Sequence, residues 1–286
     1  MRFLNGLGRF VGFGAFALVA SLILTATGAH ATGLAQPGQM GFQEAVTPVM
    51  EDIESLHHFL LILITVIVVF VSLLLVYVML RFNRKANPTP SKTSHHTWLE
   101  VAWTVVPIMI LLVIVVPSFR LLYKELVVPT PELTIKATGN QWYWGYEYPD
   151  NGDISFDSVL VPDNEIKDGQ HRLLSTDEVV VVPVDTTVRV IVTGADVIHA
   201  WAVPAFGVKV DAVPGRLNET WFKATKTGTY YGQCSELCGQ DHAFMPIEVH
   251  VVSKEEFAAW IAEKGKKASL TNDNVKLALA SESTAH

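Results

Sequence analysis

The run CSELCGQDHAFM, Cys234–Met245, holds both cysteines of the chain and, written as donor types, reads Cys-x3-Cys-x3-His-x2-Met. Two thiols, an imidazole and a thioether this close together point to a metal site. A disulfide would employ the two cysteines of an exported domain but would leave His242 and Met245 without a role. Zinc takes thiolate and imidazole but makes little use of a thioether, whereas copper is well served by thiolate, imidazole and a weak Met ligand. A single copper ion of the blue type uses one cysteine, so a second thiolate suggests more than one copper ion and calls for a further imidazole from elsewhere. The best candidate is His199, which follows the β-branched run Thr187–Thr193.

His199 lies in VIHAWAVP, Val197–Pro204. Together with DAVPGRLN at Asp211–Asn218 and the run Tyr230–Pro246, it resembles subunit II of haem-copper cytochrome c oxidases, of the bacterial, alphaproteobacterial aa3-like type, over roughly residues 45–260. The resemblance implies a membrane-anchored all-β protein: a two-helix transmembrane hairpin followed by a cupredoxin-like Greek-key β-barrel. It also implies two copper ions, the CuA centre, with Cys234 and Cys238 bridging, His199 and His242 terminal, Met245 weak and Glu236 contributing its backbone carbonyl. The Glu236 side chain would serve Mg2+ at the contact with subunit I, a hard cation suited to a carboxylate and waters.

Further roles follow from the same resemblance. Trp142 would be the ring at which an electron from cytochrome c enters, and Glu100 the acid at the mouth of a proton-uptake path into subunit I. The charge pattern adds a hypothesis of its own: Glu147, Asp157, Asp177 and Asp196, acids with few basic neighbours, would form a docking field for cytochrome c, a kind of steering that raises association rates and fades with salt. The implied activity is passage of electrons from cytochrome c to the haem-copper subunit I, where oxygen is reduced and protons are pumped, with other oxidase subunits as further partners. Two other readings keep parts of the pattern. A tethered copper chaperone needs exchangeable copper, against which this closed donor set speaks; a quinol oxidase subunit would keep the fold without needing copper.

Composition agrees with a membrane protein: half of the 286 residues are hydrophobic. The net charge of −7 speaks against nucleic acid and for a positively charged partner. Residues 1–31 read as an export signal, with Arg2 and Arg9 before the apolar stretch Val11–Thr25 and a small-x-small site at Ala29-His30-Ala31; a later cleavage after Ala35 is the alternative, and the short apolar core with Gly12 and Gly14 speaks against a retained anchor. Residues 32–55, rich in Gly, Pro and Gln and then acidic, read as a flexible outer leader.

The uncharged run Phe59–Leu80 is long enough to cross a bilayer, predicting a helix over about 57–82. A second span, Val101–Leu122, predicts a helix over about 98–122 that tolerates Pro107 and Pro117, completing a hairpin over 56–122. Arg81, Arg84, Lys85 and Lys92 between the two spans place that loop in the cytoplasm. The chain is thus expected in the bacterial inner membrane with its copper domain in the periplasm.

From residue 126 to 262, short β-branched runs separated by turn residues predict an antiparallel sandwich or barrel whose loops carry the ligands. Among them QWYWGYEY, Gln141–Tyr148, alternates so that Trp142 and Trp144 share one face. A helical pattern at Glu255–Lys264 leads into a polar tail over 263–286.

Overall fold

The computed structural model describes residues 33–266 except Asp153. The expected export signal and nearly all of the polar tail lie outside the described residues. The chain forms two long helices, α1 (Pro48–Arg81) and α2 (Thr97–Leu126), then ten strands, then a helix α3 over residues 254–266.

The helices are apolar on every side. The most apolar window of each is 0% buried, so their side chains have no protein core to enter and are suited to lipid. Pro107 and Pro117 lie inside α2 without ending it. Helix α1 starts earlier than the span predicts. The Thr47 hydroxyl accepts from the Met50 amide at 3.1 Å and Pro48 occupies the first turn, a start signal that draws the acidic stretch Glu51–Glu54 into the helix. The segment before it is not a free leader either. Val46 is fully buried, its amide donates to the Ala205 carbonyl at 3.3 Å, and its own carbonyl accepts from the Thr225 amide at 2.9 Å. The hairpin is thus strapped to the β domain, and at the other helix end the Trp221 indole N–H donates to the Lys124 carbonyl at 3.0 Å.

One sheet of the β domain runs in the order β3-β2-β1-β5-β8: Ile154–Ser158, Tyr143–Tyr148, Leu133–Asn140, Val188–Gly194 and Asn218–Phe222. A second has β4-β10-β9: Val180–Pro183, Pro246–Val252 and Gly228–Gln233. A ribbon of β6 (His199–Val203) and β7 (Val208–Ala212) completes the domain. Alternation along β1, β2 and β5 turns Ile135, Trp144, Tyr146, Val190 and Val192 inward, where they meet Val182, Ile247 and Val249 of the other sheet. Helix α3 packs Phe257, Trp260 and Ile261 against the same core.

This is the cupredoxin-like fold expected, with one correction: the sheets are mixed. β1 pairs in parallel with β5, and β4 with β10. Side-chain alternation has the same period in either orientation, so the sequence pattern could not have separated the two. Three strands carry weak signals: β3, β9 and β6. All five residues of β6 are buried, so no polar alternation marks it.

Candidate metal centre

The donors converge where β6, β9 and β10 end. β9 delivers the chain to Cys234, β10 leaves from Pro246, and the register Pro246↔Gln233 brings the ends of the intervening loop together. Within it the Cys234 and Cys238 Sγ atoms stand 3.9 Å apart, too far for a disulfide, whose sulfurs lie about 2 Å apart; both cysteines are free. The disulfide reading is therefore not the one the structure adopts.

Cys238 Sγ lies 3.4 Å from His242 Nδ1 and 3.5 Å from Met245 Sδ, and Cys234 Sγ lies 3.9 Å from His199 Nδ1 and 3.3 Å from the Glu236 carbonyl oxygen. Donor atoms of His199, Cys234 and Cys238 all fall within 4.8 Å of one another. Every donor named from the sequence is thus in the cluster. Soft sulfur and imidazole nitrogen, buried and turned toward one another, suit copper far better than a hard cation.

Each half of the cluster is held differently. His199 is fully buried, and its Nε2 lies 2.8 Å from Asp196 Oδ1. That bond puts the ring proton on Nε2 and leaves the Nδ1 lone pair facing Cys234. Asp196 is fixed in turn by the Gln141 and Val197 amides, at 2.7 and 2.6 Å. β1 runs beneath the ring: a Cβ at Gly139 would stand 2.8 Å from His199 Cγ and Cδ2, so only glycine fits there. On the loop, the Gln141 side-chain amide donates to the Cys238 carbonyl at 2.7 Å and the Trp144 indole N–H to the Met245 carbonyl at 3.3 Å. Neither Gln141 nor Gly139 carries a sequence signal of these roles; Asp196 carries one only through its Asp-x-x-His spacing.

The thiols differ in acidity. Burial pushes Cys234 up, but the neighbouring His199 ring and the backbone at Ala200 and Glu236 outweigh it and bring it down to about 7. Burial, followed by the charge of Cys234, pushes Cys238 up to about 12. Cys234 therefore loses its proton first, and a metal ion must displace the proton of Cys238.

The remaining expected residues are placed as follows. Trp142 is half-buried at the turn before β2, not one of the inward rings of the strand, and lies against the loop: a Cβ at Gly239 would be 3.0 Å from its Cζ2. Its indole nitrogen is buried without a hydrogen-bond partner among the described residues. The Glu236 carboxylate pairs with Lys209 at 3.2 Å. The expected docking acids have fewer idle charges than the sequence suggests. Glu147 pairs with Lys136 at 2.7 Å, Asp177 accepts from the Val159 and Glu178 amides, and Asp196 serves His199. Asp157 is exposed and has no partner among the described residues. Glu100 accepts from the His96 amide at 3.2 Å, a cap for the start of α2.

Comparison with known proteins follows the same division of the chain. Residues 133–252 match the family model described as "Cytochrome C oxidase subunit II, periplasmic domain", and residues 35–121 match "Cytochrome C oxidase subunit II, transmembrane domain". The chain is 53% identical over 242 residues to the probable cytochrome c oxidase subunit 2 of Rickettsia bellii, covering 85% of this chain and 90% of that protein. It is 49% identical over 236 residues to cytochrome c oxidase subunit 2 of Zea mays, covering 80% and 91%. A crystal structure of the periplasmic domain of subunit II of cytochrome oxidase from Bradyrhizobium japonicum is 64% identical, covers 49% of this chain and 99% of that domain, and has a TM-score of 0.47.

Proposed function

The chain belongs to the cytochrome c oxidase subunit II family, a membrane-anchored subunit of the haem-copper oxidase, and from that premise we propose that it receives electrons from cytochrome c at a site of two copper ions and hands them to subunit I. The observation that carries this reading is the convergence of two free thiols with His199, His242 and Met245, all within contact distance of at least one sulfur. Cys234, Cys238, His199, His242, Met245 and the Glu236 carbonyl would hold the copper. When bound, a pair of copper ions would supply a one-electron carrier.

The chain's own residues do the rest. Asp196 fixes the tautomer and tilt of His199, Gly139 leaves room for its ring, and Gln141 holds the Cys238 carbonyl. Donors fixed in this way move little when the charge at the site changes, which keeps transfer fast. Trp142, packed on Gly239 beside Cys238, links the surface to the ligand loop and serves as the receiving ring. Asp157, exposed and unpaired, supplies the main steering charge for cytochrome c, with Glu147, Asp177 and Asp196 adding to the field. Glu236 would leave Lys209 for Mg2+ at the subunit I contact, and Glu100, beside a cavity of about 290 Å³, would open the proton path. On this reading the ligand loop would face the periplasm from the bacterial inner membrane, with the domains dividing at about residue 126.

The test is reduction of the oxidase by reduced cytochrome c in a rapid-mixing experiment. Trp142→Phe should slow the first electron by orders of magnitude without changing the copper content. An unaltered first-electron rate in that variant would remove Trp142 from the path, and normal turnover of a copper-free Cys234→Ser/Cys238→Ser chain would remove the copper reading altogether.

A further inference from the structure

Between α1 and α2, near their ends on the β-domain side, lies a cavity of about 560 Å³ with an uneven lining. Asp52 and Lys124 lie within a turn or two of the helix ends, and Arg120 lies six residues before the end of α2, roughly 9 Å along its axis. Phe59, Val113 and Pro117 line the part nearer the middle of the helices. The cleft is therefore charged toward the membrane surface and apolar toward the bilayer interior, the polarity of an amphiphile.

The charges in it do not balance. Lys124 pairs with Asp52 and also donates to the Pro48 carbonyl at 2.9 Å, so that pair is internally satisfied. Arg120 has neither a carboxylate nor a hydrogen-bond acceptor among the described residues, although it sits within a transmembrane helix. Near the membrane surface an unpaired guanidinium is a ready partner for a phosphate, which its fork matches with two parallel hydrogen bonds.

We propose that this cleft binds one anionic phospholipid of the leaflet on the β-domain side, its phosphate on Arg120 and its acyl chain along the apolar wall. A soluble anion would satisfy the guanidinium but leave that wall uncovered. Basic pockets between membrane helices are suited to anionic headgroups for the same reason. The proposal rests on the transmembrane hairpin and is independent of the copper centre.

The test uses the whole oxidase containing this chain, in nanodiscs of phosphatidylcholine with a minor fraction of phosphatidylglycerol, followed by detergent washing and lipid counting by mass spectrometry. The unaltered complex should retain phosphatidylglycerol in preference to phosphatidylcholine. Arg120→Gln should reduce that preference about fivefold, the effect of one basic residue at a membrane surface, and Arg120→Lys should retain part of it. Unchanged copper content and turnover in both variants would show that they fold. Equal retention in Arg120→Gln, displacement of the lipid by inorganic phosphate, or a photocrosslink from position 120 to another subunit in place of lipid would each overturn the proposal.

Discussion

The two histidines of the metal centre sit in regions built on opposite terms. His199 begins a fully buried strand, with a carboxylate on one ring nitrogen and a glycine of β1 beneath the ring, neighbours that the fold itself supplies. His242 stands on a short 3-10 turn in the middle of a loop pinned at Cys234, Cys238 and Met245, while Leu237 and Phe244 beside it are 83% and 46% exposed. The polar contacts of its ring among the described residues are with the two thiols, Cys238 Sγ at 3.4 Å and Cys234. The strand half is organised by the fold on every side of its ring, and the loop half rests on the few hydrogen bonds that pin it. A rigid wall with an adjustable flap can admit an ion and then hold it still.

Four substitutions would break or sharpen that contrast, beginning with the largest effect. Cys238→Ser should abolish the paired site, because it removes a donor that touches Cys234, His242 and Met245 at once; full copper loading of that variant by metal analysis would contradict the shared role. Next, Asp196→Asn should weaken copper binding by about 10–100-fold, as loss of an orienting partner does, with little change in melting temperature. A melting loss comparable to the binding loss would make Asp196 a structural residue instead.

Gly139→Ala acts on the same wall through sterics. Overpacking at a fixed ring should cost about 1–3 kcal/mol, read as a lowered unfolding midpoint even without copper. The smallest effect is on the loop: Gln141→Ala removes one hydrogen bond to the Cys238 carbonyl, worth about 1 kcal/mol, and should show chiefly as faster amide exchange in Cys238–Phe244. Removing copper from the unaltered protein should loosen the same segment and leave β6 protected. Equal loosening of β6 would mean that the strand half also depends on the metal.

Loading should follow pH in a direction that the thiols fix. Between about 7 and 12 Cys234 has lost its proton and Cys238 keeps one, so metal uptake releases that proton and strengthens as pH rises. Below about 7 a second proton must leave and the dependence steepens. A metal titration that is independent of pH would show that Cys238 is not a ligand.

The sequence made the candidate donors legible because four of them share one loop of fixed spacing, and it made the membrane spans legible because charge is absent from the first and confined to Arg120 near the end of the second. What escaped it was set by tertiary contact. Asp196 looks like one surface acid among many until the fold brings Gln141 and His199 against it. The parallel pairings leave no trace in side-chain alternation, and β6 lacks alternation because it is buried on both faces. The early start of α1 was readable: Thr47-Pro48 is a capping signal, but the acids after it imitate a solvated leader. The sequence likewise offered four docking acids, and three of them are occupied within the chain.

The central claim is that the strand and loop halves form one site for two copper ions. Electron paramagnetic resonance of the full chain in detergent, with copper quantified on the same sample, tests it most directly. Two coppers per chain and a hyperfine pattern shared over two copper nuclei are predicted. One copper per chain with the hyperfine pattern of a single nucleus would contradict it.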